Sequence, residues 1–251
     1  MHIKTTTTSI VFIVLFFMTA CGSESSDAKK VEVKEVEPVV IKTAAATTDI
    51  SETTKKVEKI TETPEFKEGV HYFKISPEIQ TNATSGKVEV VEMMWLGCGH
   101  CYTLEPTLLE YKKNHPPYVE FQQVPAMLNS HWAADAKTYY LADVLDPTGE
   151  KGLIMKIFQA IHDQRRNLRN PSSVRRFFVQ LGYSEDQIQQ AKLSMLFRTK
   201  IKRAQEISDA SQAQSVPTII INGKYRTSPY SAGGKENLMK LIDMLTRREK
   251  K

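Results

Sequence analysis

The chain has 251 residues, 41% hydrophobic and 25% charged, with a formal net charge of +5. That supplies apolar residues for one or two globular domains and argues against a disordered chain. The positive charge is spread out; its only terminal cluster, Arg247, Arg248, Lys250 and Lys251, reads as a solvated helix end, so no nucleic-acid partner is expected.

In chain order, the N-terminus reads as an export signal. Lys4 precedes an unbroken apolar run, Ile10 to Met18, followed by Thr19, Ala20 and Cys21. The run is too short to span a bilayer, so a secretory signal is the better reading. Met18-Thr19-Ala20-Cys21 resembles a bacterial lipobox, although leucine is commoner than methionine at its first position. The resemblance implies a signal peptide over 1–20 and a lipid anchor on Cys21. Ordinary cleavage that leaves Cys21 free is the alternative. Residues 21–65 carry mixed charge, no aromatic residue and no sustained period, which reads as a flexible tether.

The folded part is expected from Phe66. His71 to Ser76 alternates and meets Pro77, a first strand; Lys87 to Leu96 is apolar on both faces apart from Glu89 and Glu92, a central strand. A helix is predicted from Gly99 to Asn114, before His115-Pro116-Pro117, then a strand from Val119 to Pro125. Strand, helix, strand in this order implies a right-handed crossover and parallel pairing. Helices are then predicted over 131–145, 151–164, 171–181, 184–196 and 198–211, with Asn170-Pro171 and Ser184/Gln187 as caps. A strand from Thr218 to Ile221 leads into an Asn222-Gly223 hairpin turn, and a helix from Lys235 to Arg247 closes the chain. The resulting fold class is α/β: a strand-helix-strand unit over 66–129, an all-helical insertion over 130–211, and a hairpin with a final helix over 212–251.

Cys98-Gly99-His100-Cys101 follows the central strand and opens a helix. Cys98 then lies at the helix N-terminus, where free amides and the dipole favour a thiolate, the nucleophile of disulfide exchange. Cys101 lies one turn on, within reach of a disulfide. His100 can donate to the Cys98 sulfur or bring it positive charge. Three other readings are weaker. A staple across two residues gains little from loop closure. Zinc wants four ligands, while the remaining histidines are scattered, so no metal is expected. Haem attachment needs a histidine directly after the second cysteine, where Tyr102 stands. Glu92 shares a strand face with Val88, Val90, Met94 and Leu96; burial there would raise its pKa and suit it to move protons for Cys101. Glu105, one turn past Cys101, reads either as part of this field or as surface charge. Pro106 reads as a kink or as the point where the helix restarts. His71, His115, His131 and His162 have no evident chemical partner.

With Cys-x-x-Cys beside a strand-helix-strand unit, a helical insertion and Val216-Pro217 opening a late strand, Phe66 to Arg247 resembles the DsbA-type thiol:disulfide oxidoreductases, which implies a thioredoxin-like fold with an inserted all-helical domain. The resemblance implies a cis Pro217 facing the dithiol. Val216 and Gly99 would then bind substrate backbone, in a groove to which Trp95 and Leu96 add apolar surface, although a plain core role for these two is the alternative. It also matches Glu92 and Glu105 to acidic residues of the family, and Trp132, Tyr139 and Tyr140 to residues that pack the insertion. Gly99 departs from the proline common in strongly oxidising members, and Gly-His resembles protein disulfide isomerases.

The implied function is introduction of disulfides into exported proteins through Cys98 and Cys101. No cofactor is expected, reoxidation would fall to a quinone-linked, DsbB-like membrane oxidase, and the protein would be a monomer anchored through Cys21 in the bacterial periplasm. The alternatives are an isomerase or reductase using the same site, and a thioredoxin-fold holdase that binds unfolded chains without redox turnover.

Overall fold

The computed structural model describes residues 65–250. The export signal, Cys21 and the tether over residues 21–64 lie outside the described residues.

Among the described residues, seven helices and five strands follow one another as β1 (Phe73–Lys74), β2 (Val88–Met94), α1 (Gly99–Asn114), β3 (Val119–Pro125), α2 (Ser130–Leu145), α3 (Leu153–His162), α4 (Pro171–Gln180), α5 (Glu185–Leu193), α6 (Met195–Ala210), β4 (Thr218–Ile221), β5 (Tyr225–Thr227) and α7 (Lys235–Glu249). The sheet order is β1-β5-β4-β2-β3. Only β2 and β3 run parallel; the other neighbours are antiparallel. All seven residues of β2 are buried, as expected for a strand covered on both faces. Val88 and Val90 pack with Leu104 and Leu108 of α1 and Leu238, Leu241 and Leu245 of α7. Val91 and Met93 pack with the core of the helical insertion, among Tyr139, Phe158, Phe178 and Ile207. Alternation along β2 thus joins the α1/α7 layer to the insertion.

Several boundaries follow from local chemistry. The bounds of α1, β3 and β4 are those expected from the sequence. α1 does not restart at Pro106, which lies inside one continuous helix. The expected first strand shrinks to Phe73–Lys74, because its partner β5 has only three residues and Pro77 supplies no amide. The α5/α6 break falls at Ser194, three residues before the expected place. Ser194 is extended (ψ 149°) and its hydroxyl accepts from Phe197 N at 3.1 Å. A good cap there outweighs the apolar run that would have continued the helix. The caps at Asn170 and at Ser184/Gln187 form as expected. Both Ser76-Pro77 and Val216-Pro217 are cis; only the second was anticipated.

The hairpin turn depends on Gly223, which has φ +67° and lies against the backbone of Ile79. A side chain there would overlap the Ile79 carbonyl and also occupy the left-handed region. Gly223→Ala is expected to lower stability by about 2–3 kcal/mol in urea unfolding; a loss below about 0.5 kcal/mol would mean the loop yields freely.

Candidate active site

β2 ends at Met94, and Trp95, Leu96 and Gly97 lead into Cys98, the N-cap of α1. Cys98 is extended (φ −91°, ψ 114°) and its Sγ accepts from Cys101 N at 3.4 Å. The sulfur thus takes the position of a capping oxygen, at the positive end of the helix dipole. Its pKa is lowered from 9.0 to about 6. The main cause is a hydrogen bond from the Cys101 side chain; burial opposes it, and the Cys101 and His100 amides and the His100 charge add to it. Cys101 is 0% exposed, and burial pushes its thiol far above the ordinary range, reinforced by its bond to Cys98 and by Glu92. Both are free thiols. The pair therefore joins a half-buried sulfur that ionises easily to a sealed one that holds its proton.

β4 pairs with β2 in a register that sets Thr218 against Met93, so Val216 and Pro217 lie beside the approach to Cys98. The Cys98 thiol donates to Val216 O across 3.5 Å. A groove of about 500 Å³ opens here, lined by His100, Leu104, Val216, Pro217, Pro229 and Tyr230. Tyr230 is 96% exposed. Gly99 leaves open space in front of the first turn, since a Cβ there would meet nothing within 4 Å.

Trp95 and Leu96 do not line this groove. Leu96 is core. Trp95 stacks on Trp132 (4.7 Å, 13°) and donates Nε1–H to Asp135 Oδ2 at 2.7 Å. The ladder stops at Met94, so strand alternation no longer governs residues 95 and 96, and the indole turns to where its N–H finds an acceptor.

Glu92 is fully buried, and its pKa is raised to about 8 by burial and by Glu105, with the Cys98 charge adding. Glu105 is not a surface charge: it is buried on α1 and raised by burial. Gln123, the register partner of Glu92 on β3, joins them, donating to Glu92 Oε2 at 2.8 Å and Glu105 Oε2 at 2.6 Å. The sequence reading passed over Gln123, although parallel pairing of the two expected strands would have set it beside Glu92. His162, read as lacking a partner, donates from Nε2 to Leu96 O at 2.9 Å and stacks on Tyr102 (5.0 Å). Tyr102 in turn donates to Asp163 at 2.7 Å. The end of α3 thereby braces the turn that carries Cys98.

No family model matches the chain. Among curated proteins it is 30% identical over 186 residues to the thiol:disulfide interchange protein DsbA of Pseudomonas aeruginosa, covering 74% of this chain and 87% of that one. The chain belongs to the DsbA family. DsbA of Azotobacter vinelandii is 31% identical over 186 residues, covering 74% of this chain and 86% of that one. The crystal structure of P. aeruginosa DsbA superposes with a TM-score of 0.67 at 31% identity, over 73% of this chain and 94% of that one. DsbA from Xylella fastidiosa gives 0.63 at 25% identity, over 71% and 95%. The fold is accordingly the thioredoxin fold with a helical insertion found in DsbA. The protein is a thiol:disulfide oxidoreductase that oxidises substrate cysteines, and the isomerase, reductase and holdase readings are not favoured.

Proposed function

We propose that Cys98 and Cys101 are the exchanging pair and that the protein oxidises newly exported proteins in the bacterial periplasm, as a monomer held to a membrane through lipidated Cys21. A substrate thiolate attacks Cys98 Sγ of the oxidised pair. The Cys98–Cys101 bond breaks, and Cys101 leaves and takes a proton. A second substrate thiolate attacks the substrate sulfur of the mixed disulfide, and Cys98 departs as a thiolate. Two substrate thiols become one disulfide, and the enzyme disulfide becomes a dithiol. A quinone-linked, DsbB-like oxidase would reverse that reduction, and no cofactor is needed. The domain division at residues 129/130 and 211/212 belongs to the same proposal: one part carries the dithiol, the other braces it.

The observation that carries the direction is the Cys98 thiol held at about 6. Each stabilisation of the thiolate stabilises the reduced enzyme, and so makes its disulfide the stronger oxidant. Val216 and Pro217 support backbone pairing with an extended substrate, and Gly99 leaves room for it. The test is to mix oxidised protein with a reduced, unfolded protein bearing one cysteine pair. One substrate disulfide should form per enzyme disulfide, none should form with Cys98→Ala, and equilibration with glutathione should give a potential well above that of thioredoxin, about −270 mV. A potential near that value would make the protein a reductase.

Glu92 is proposed to supply the proton that Cys101 takes, because a carboxyl raised to about 8 is protonated at neutral pH beside a thiol that resists ionisation. Glu92→Gln should slow formation of the mixed disulfide from the oxidised pair by about 10- to 100-fold. It should also stabilise the protein above neutral pH. Glu92 has a raised folded pKa, so its contribution is present below 4.5 and is lost as pH rises through about 8. Rapid-quench kinetics that match the parent protein would remove Glu92 from the proton path.

A further inference from the structure

In sequence, Cys98 is flanked by Gly97, which lines one cavity, and His100, which lines another of unlike character. On one side is the apolar groove of Val216, Pro217 and Tyr230. On the other, a cavity of about 320 Å³ is lined by Gly97, Arg165, Arg166 and Arg169, with Asp135 as its one carboxylate. Gly97 cannot give way to a larger residue, because a Cβ there would overlap the Trp95 ring. Gly97, one residue before Cys98, is thus a fixed part of the cavity wall.

The loop after α3 gathers the arginines. Arg166 N donates back to Ala160 O at 2.8 Å, which turns the chain over the helix end. Arg165 takes the left-handed conformation (φ +54°), where glycine is the ordinary residue. Asp135 is already engaged by Trp95 Nε1 and, at 3.4 Å, by Arg169. Asp163 is engaged by the Tyr102 hydroxyl. Arg166 bonds Gln180, and Arg169 remains 48% exposed. Exposed Arg165 makes no ion pair or side-chain hydrogen bond among the described residues. His131, whose charge acts on Asp135, adds no negative charge. Three arginines thus line a cavity whose one carboxylate is already committed; Arg169 holds that carboxylate, Arg166 is bonded to Gln180 and lies over the Phe177 ring, and Arg165 is left free among the described residues.

We infer that this arginine-lined cavity selects substrates with acidic residues flanking the reactive cysteine, on the side opposite the residues that enter the apolar groove. The inference rests on the reading that Cys98 is the exchanging sulfur. Guanidinium groups recognise carboxylates in a planar, two-pronged geometry, and charges at the rim of a site act mainly on the association rate.

The probes are blocked peptides with a single cysteine, apolar residues on one side and Asp, Asn or Lys residues on the other, in both chain orders. Two peptide thiols yield one peptide disulfide, and the enzyme disulfide takes up the two electrons and two protons. At about 0.01 M ionic strength the Asp peptide of one order should react with oxidised protein about ten-fold faster than its Lys counterpart, and the ratio should approach one near 1 M. Arg165→Glu should cut the ratio to about three-fold or less. Lys240→Glu makes the same change in net charge at an exposed position on α7, across the sheet from the insertion, and should preserve it. Equal rates for the Asp and Lys peptides, or an equal loss in Lys240→Glu, would overturn the inference while leaving disulfide exchange intact. Failure of every peptide to react would overturn the exchange reading and this inference with it.

Discussion

In denaturant unfolding, the stability of the reduced protein minus that of the oxidised protein should rise by about 2 kcal/mol between pH 5 and pH 9. The cause is the Cys98 thiol, lowered from 9.0 to about 6 in the folded dithiol and absent as a titrating group from the disulfide. A depressed folded pKa contributes stability that is full above the unfolded value and is lost as pH falls through the folded one. The climb should therefore lie between about pH 6 and pH 9. A drop of this size corresponds to about 4 kcal/mol for a fully shielded group, and half-exposed Cys98 keeps about half of that.

The comparison isolates this group because the shifted carboxyls Glu92, Glu105 and Asp135 are present in both redox states and largely cancel, leaving only the smallest part of the Glu92 shift, that from the Cys98 charge. Loop closure by the disulfide adds an offset that does not vary with pH. Cys101 has a raised pKa, so its contribution falls away only above pH 9, outside the window. Cys98→Ala, compared with the reduced parent over the same range, should lack the climb. If the reduced-minus-oxidised difference is flat from pH 6 to pH 9, Cys98 is an ordinary thiol and the oxidant reading loses its physical basis.

The elements that frame the dithiol were legible in the sequence because their ends are set locally. Cys98 caps α1 with its own sulfur, His115-Pro116-Pro117 stops it, and the apolar β2 can be nothing but a central strand. The Asn222-Gly223 turn likewise announces the β4–β5 hairpin, with φ +50° and +67°. What escaped depends on contacts between residues distant in sequence. Periodicity does not say that His162 will bond Leu96, or that Tyr102 will find Asp163. Trp95 was legible as a large apolar residue near the site, but its direction is set by Trp132 and Asp135, about forty residues away. Gln123 is the opposite case. Its role follows from the register of two correctly expected strands, yet a glutamine in a strand carries no signal by itself. The Ser194 break shows a cap defeating an apolar pattern over a single residue.

Cys101→Ala separates the two sulfurs. Reduced variant protein exposed to a disulfide-bonded peptide should accumulate a mixed disulfide through Cys98, with release slower than in the parent by more than about 10³-fold. In the parent, Cys101 is held one turn from Cys98, with its amide on the Cys98 sulfur at 3.4 Å, so its attack has the advantage of an intramolecular reaction. External thiols lack that advantage. The same substitution removes the largest cause of the low Cys98 pKa, the Cys101 side-chain hydrogen bond, but keeps the Cys101 and His100 amides and the His100 charge. The Cys98 titration should therefore move up from about 6 without returning to 9.0. Trapping and titration are independent readouts. If the adduct persists but the titration stays near 6, the helix end alone holds the anion and Cys101 serves only as the resolving thiol. If the titration moves but no adduct accumulates, another group releases the substrate, and Cys101 is a hydrogen-bond donor rather than half of the exchanging pair.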